Sequence, residues 1–215
     1  MTVTAVVLAA GAASRLGRPK QLEPVGGLPL LARALAAAAP ADNCLVMLGS
    51  SAVLIRPTVQ KLAPAAVVQV VQDWPRGMGR VLAAGVSALP PRTEAVVVLL
   101  ADQPYVTAAA VSMLITAWRE TRDPWLCAGY AGRRGHPHLF DARWFPALAS
   151  LDGDEGARAV TGGHRPRVVE VPGDDRDIDD ESDLVTTGRL TGRHPSDVRE
   201  ARVNRSATDS NSGET

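Results

Sequence analysis

Six consecutive apolar residues, Ala95-Val96-Val97-Val98-Leu99-Leu100, follow Glu94 and run into Ala101-Asp102-Gln103-Pro104. A run this short has the length of a strand, and three successive valines favour an extended backbone over a helix. Both faces of such a strand are apolar, so both must be covered. That requirement places it in the middle of a parallel sheet with helices on either side. Val3 to Ala9 has the same character, and Cys44 to Leu48 and Val67 to Val71 are two further short apolar runs. Helical patterns separate them. Leu28 to Ala39 reads as a helix with Pro29 in its first turn, Ser50 or Ser51 caps a segment ending near Leu62, and Gly77 to Leu89 stops at Pro90-Pro91. Strand and helix alternate four times, the pattern of an α/β fold built on a single doubly wound, mostly parallel sheet.

Beyond Thr107, which is placed to cap a helix through Trp118 and Glu120, the alternation breaks. Trp125 to Tyr130 and His136 to Phe140, with Gly132-Arg133-Arg134-Gly135 between them, read as a small β-hairpin insertion. Short helices are expected over Ala142 to Leu151, Glu155 to Thr161 and Asp180 to Thr187, and a strand over Arg167 to Val171. From Gly188 the chain is polar and loses its apolar pattern. Residues 1–187 therefore form one domain, and 188–215 a polar, flexible C-terminal tail.

The balance of charge narrows the function. Among 215 residues, 23 basic side chains offset 23 acidic ones, so no global field draws the protein to nucleic acid or to an anionic membrane. No membrane-spanning or secretory segment is seen, and a cytoplasmic location is expected. Cys44 and Cys127 lie far apart in apolar settings without metal or redox spacing, and read as inert buried thiols.

Two loops follow strands at the same sheet edge, because ligands of doubly wound sheets lie outside the carboxyl ends of the strands. The first is Leu8-Ala9-Ala10-Gly11-Ala12-Ala13-Ser14-Arg15-Leu16-Gly17-Arg18-Pro19-Lys20-Gln21-Leu22. Gly11 admits close approach of the main chain to a ligand, successive peptide N–H groups can surround an anion, and Arg15 and Lys20 add two cations suited to a polyphosphate. It is neither a P-loop nor a GxGxxG turn. An ordinary strand-to-helix turn with surface charge is the plain alternative. The second loop carries Asp102, one residue past a buried strand, where a carboxylate can help hold Mg²⁺ against phosphates. Further on, Asp174 to Asp183 holds seven carboxylates in ten residues. Most acidic runs are solvated surface. His136 and His138 share one strand face but lack the partners of a zinc site.

Leu8 to Leu22 resembles the signature loop of the molybdenum-cofactor nucleotidyltransferases, roughly LAAGxSxRMGxxKxLL. Four more segments are similar to that family in the same order. They are Gln72-Asp73-Trp74-Pro75-Arg76-Gly77-Met78-Gly79-Arg80-Val81-Leu82, where Arg80 and Val81 replace the usual serines; Arg134 to Phe140; Gly153 to Arg158; and Asp177 to Leu184. The resemblance spans roughly residues 3 to 187. It implies a Rossmann-like nucleotidyltransferase fold, with the hairpin on the acceptor side.

The resemblance also implies roles. Arg15, Lys20 and Asp102 would be catalytic. Leu8, Ala9, Ala10, Gly11, Arg15, Lys20, Gln72, Gly77 and Met78 would bind the nucleotide, and His136, Gly156 and Arg158 the acceptor. Asp102 and Asp179 would hold Mg²⁺, with Asp177 the runner-up. The partners are then a nucleoside triphosphate and a phosphorylated small molecule, with handover of the product to a molybdoenzyme or its chaperone. Ala10 stands where guanylyltransferase relatives have glycine, and its Cβ narrows the base slot toward a pyrimidine. The expected reaction is CMP transfer from CTP to molybdopterin. GTP as donor, a different phosphorylated acceptor, or a nucleotide-binding protein without turnover are the alternatives.

Overall fold

The computed structural model describes residues 1–13, 16–180 and 182–183, the side chains of Arg158 and Val160 excepted. Arg15 and the 188–215 tail lie outside the described residues, as does most of the helix expected over Asp180 to Thr187. In chain order the strands are β1 (Thr2–Ala9), β2 (Pro24–Val25), β3 (Leu28–Pro29), β4 (Asn43–Leu48), β5 (Val67–Val70), β6 (Thr93–Leu100), β7 (Trp125–Tyr130), β8 (Arg133–Asp141) and β9 (Arg167–Glu170). The α-helices are α1 (Leu30–Ala38), α2 (Ala52–Leu62), α3 (Met78–Ser87), α4 (Ala108–Thr121) and α5 (Phe145–Ala149).

Seven strands form one sheet in the order β5-β4-β1-β6-β8-β7-β9, and β6, the all-apolar run, is its central member. Every pairing is parallel except those of β8, which runs against both β6 and β7. Successive side chains of a strand point to opposite faces. Val3, Ala5 and Val7 of β1 and Val97 and Leu99 of β6 accordingly pack under α1, α2 and α4. Val6 and Leu8 with Val96 and Val98 face α3 and α5. The structure is thus a three-layer α/β fold with one core on each side of the sheet.

Three local expectations need correction. Pro29 is not in the first turn of a helix; Leu28–Pro29 pair with Pro24–Val25 in a small hairpin, and α1 starts at Leu30. Ser51 precedes α2 in a left-handed conformation and its hydroxyl makes no cap bond. The β7–β8 connection is tighter than the Gly132 to Gly135 segment suggested: Ala131 and Gly132, both at positive φ, form the whole turn, and Arg133 to Gly135 are already in β8. The two-residue turn with both φ positive matches the twist of a hairpin. Thr107 does cap α4, its hydroxyl accepting from the Ala110 N–H at 3.2 Å.

Candidate active site

The glycine loop leaves β1 at the sheet's carboxyl edge. Gln21, almost fully buried, reaches back and donates its amide to the carbonyls of Ala9 at 3.1 Å and Gly11 at 3.2 Å. Those two bonds tie the start of the loop to the turn that carries Lys20. A Cβ added to Gly11 would meet nothing within 4 Å, so this residue borders open space that a side chain would fill. Leu8 and Ala10 face the same side as that space, whereas the Ala9 side chain packs into the opposite core beneath α1.

Lys20 lies just beyond the loop, in a single helical turn, Lys20–Leu22. Its ammonium donates to Asp102 Oδ2 at 2.8 Å, to the Ile178 carbonyl at 3.0 Å and to Asp179 Oδ1 at 3.3 Å. Residues 82 and 159 positions apart from Lys20 in sequence are thereby joined at one point. Burial by itself would lower the Lys20 pKa, but Asp102 and Asp179 outweigh it and hold it above the ordinary 10.5. The amine is a fixed cation at neutral pH.

Ile178 fastens the acidic segment. Its side chain is buried with Val25 and Leu30, and its N–H donates to the Asp102 carbonyl at 2.9 Å. The two carboxylates that flank it diverge. Asp179 joins Lys20, while Asp177 accepts from Gln103 Nε2 at 2.7 Å. Burial pushes the Asp177 carboxyl above the ordinary carboxylate range, against the lowering effect of Gln103. Gln103 and Gln21 were missed as site residues in sequence; each sits beside a residue singled out there, and glutamine carries no charge to draw notice.

Two cavities open at this edge. One, about 310 Å³, is bordered by Ala10, Gly11, Trp74, Gly77, Asp102 and Asp154. The other, about 360 Å³, is bordered by Gln103, Arg134, His136, His138, Glu155 and Gly156. Leu8, Met78 and Leu100 line both and form the common wall. Of the residues assigned to the nucleotide, Ala10, Gly11 and Gly77 border only the first cavity, Leu8 and Met78 border both, and Ala9 and Lys20 border neither; His136 and Gly156, assigned to the acceptor, border only the second. Gln72 is exposed and lines neither. The Arg158 side chain lies outside the described residues. Arg80, which replaces a serine of the family pattern, turns to pair with Asp73 and lines neither cavity, while Val81 lines the first.

The turn before α3 is locked to the acceptor side. Gly77 has φ +123°, its added Cβ would lie 2.3 Å from the Gly153 carbonyl, and the Gly79 N–H donates to Gly153 at 2.9 Å. Arg76 pairs with Asp152 across the same contact.

The donors present suit a hard divalent cation. Asp102 Oδ1 is buried and has no hydrogen-bond partner among the described residues, which leaves its acceptor lone pairs unused there. Among the described residues no three His, Cys, Asp or Glu side chains converge on one point. A cation held here would take one or two carboxylates and complete its shell with water and phosphate oxygens, the habit of Mg²⁺.

Residues 5–168 match the MobA-like NTP transferase domain. The chain belongs to that family. MobA-like proteins are nucleotidyltransferases, and the chain is 29% identical to the molybdenum cofactor guanylyltransferase of Rhodobacter capsulatus, over 67% of its own length and 69% of that protein's. It is 38% identical to nicotine blue oxidoreductase of Paenarthrobacter nicotinovorans, over 73% of this chain and 79% of the other. The crystal structure of Rv0371c from Mycobacterium tuberculosis H37Rv superposes with a TM-score of 0.78 at 32% identity, covering 87% of this chain and 97% of that one. Rv0371c in complex with manganese superposes with a TM-score of 0.75 at 29% identity, covering 88% and 99%. Among the described residues of this MobA-like chain, no helix is long and apolar enough to cross a membrane.

Proposed function

We propose that this MobA-like protein transfers CMP from CTP to a phosphorylated small-molecule acceptor of the molybdopterin kind, with pyrophosphate leaving. The observation that carries the reading is the Lys20 ammonium, held between Asp102 and Asp179 beside two cavities that share a wall. The nucleotide takes the cavity bordered by Gly11, and the acceptor the cavity bordered by His136. An oxygen of the acceptor phosphate attacks the α-phosphorus; that P–O bond forms as the bond from the α-phosphorus to the bridging oxygen of pyrophosphate breaks. No general base is needed, because the second pKa of a phosphomonoester is about 6. The difficulty is bringing two anions together, and Lys20 and the loop N–H groups answer it by neutralisation and alignment. Arg15 is assigned to the same task. Mg²⁺ held by Asp102 and Asp179 would supply further neutralisation of phosphate charge. The product would then pass to a molybdoenzyme or its chaperone in the cytoplasm.

The Ala10 methyl beside the nucleotide cavity supports CTP, and the guanylyltransferase relative favours GTP as the second reading. Pyrophosphate release from each triphosphate, with Mg²⁺ and molybdopterin, separates them. Faster release from CTP is expected, with Ala10→Gly moving the preference toward GTP; faster release from GTP in the unaltered protein overturns the CTP assignment. Tight CTP binding without release for any acceptor overturns the transferase reading itself. The oxidoreductase relative favours a redox reaction at the same site, and substrate-dependent consumption of an added electron donor would establish it instead.

A further inference from the structure

The cavity bordered by His136 shares Trp125 with two further spaces. A space of about 220 Å³ adjoins it, sharing Trp125, Arg134 and His138, and is bordered further on by Thr161, His164 and Pro166. A third space, about 260 Å³, takes over at Trp125, His164 and Pro166 and reaches Trp144, Arg165 and Arg167. The three are consecutive, and Trp125 borders them all.

The path has a defined chemical gradient. Its start is largely apolar, walled by Leu8, Leu82, Val98 and Phe140. Its middle passes the Trp125 indole, whose Nε1 donates to His138 Nδ1 at 3.0 Å and whose ring stacks on Phe140 at 5.4 Å. Its far end is basic. Arg165 makes no ion pair among the described residues, and Arg167 meets Asp123 at 2.9 Å. The His164 ring is set against Trp144 at 5.6 Å, its Nδ1 donating to the Thr161 carbonyl at 2.7 Å. Two guanidinium groups against one carboxylate leave net positive charge at this mouth, and guanidinium is the side-chain group best matched to carboxylate or phosphate.

We infer that these spaces form one groove, with the phosphate that receives the nucleotide at one end and, at Arg165 and Arg167, a second anion subsite that an elongated ligand with a further anionic group would fill. This rests on the assignment of the His136 cavity to the acceptor. Molecules with a phosphate at one end only would fill the groove without using its basic mouth.

Binding can be read without turnover, because Trp125 and Trp144 border the groove and report through their fluorescence. The probes are butane-, octane- and dodecane-diol bisphosphates, each against the alkyl monophosphate of equal length. At the length that spans the groove, the bisphosphate should bind about tenfold more tightly than its monophosphate, the range of one or two charge-assisted hydrogen bonds. Arg165→Gln with Arg167→Gln should erase that preference while changing monophosphate affinity less than about twofold. Should the double variant fold poorly, Arg165→Gln alone, at an exposed side chain without an ion pair, must still reduce the preference. Equal affinity for both probes at every length, or a preference that survives these variants, overturns the inference. Pyrophosphate release from CTP and Mg²⁺ with the same probes is read separately: preferential binding without release leaves the groove standing and removes the transferase reading.

Discussion

Replacing Lys20 with methionine keeps most of the stem and deletes the ammonium, which in this structure has three acceptors within 3.3 Å. The three contacts are unequal. Asp179 is half exposed, so solvent screens its share, whereas Lys20 and Asp102 are 14% and 27% exposed. The Asp102 contact dominates, and a hydrogen bond to a charged partner at this depth is worth about 2 kcal/mol of stability. Losing a charge aimed at the developing transition state lowers turnover by about 10²–10³. The two effects are measured apart, by chemical denaturation and by pyrophosphate release at saturating CTP. Because the folded lysine titrates above its ordinary 10.5, its stabilising contribution is complete below that value and disappears only as pH rises through the folded one. The stability gap between the two proteins should therefore be flat from neutral pH to about pH 9, and should shrink above about pH 10.5. Turnover within about threefold of the unaltered enzyme, in a folded variant, would refute the assignment of Lys20 to catalysis.

Ile178→Ala should cost about 2–4 kcal/mol if the acidic segment stays docked, and less if it detaches; in either case the CTP concentration giving half-maximal turnover should rise. Gly77→Ala places a side chain at φ +123° and against Gly153, so a loss of at least about 1–3 kcal/mol in thermal denaturation is expected. Arg80→Ser restores the family residue and breaks a solvent-screened pair with Asp73, so the midpoint of thermal denaturation and the turnover should both change little. Burial pushes the Cys44 thiol up to about 11, and Cys127 is fully buried, so a thiol reagent at pH 8 should label neither until the protein is unfolded.

The sheet was legible because its strands are apolar on both faces; that property placed Ala95 to Leu100 at the centre, where β6 lies. The meeting of Lys20 and Asp102 was legible because strand ends of parallel sheets converge at one edge. What could not be read was side-chain direction. Arg80 and Met78 occupy neighbouring positions at the start of α3, yet one turns outward to Asp73 and the other forms the wall between two cavities. Nor does sequence spacing reveal that Ile178 anchors the acidic segment, since its partners Val25 and Leu30 are some 150 positions away. Pro29 was misplaced because a proline before a Leu-rich run suits a helix start and a hairpin end equally well.

A single reversed strand has an architectural consequence. Since β8 alone in the seven-stranded sheet runs counter to its neighbours, the hairpin bend at Ala131 and Gly132 lies at the carboxyl edge of the parallel strands, and Arg134 and His136 come from the start of β8. Lengthening this one bend would act on the strand that borders the His136 cavity and leave the Gly11 cavity alone, because the latter takes no residue from β8.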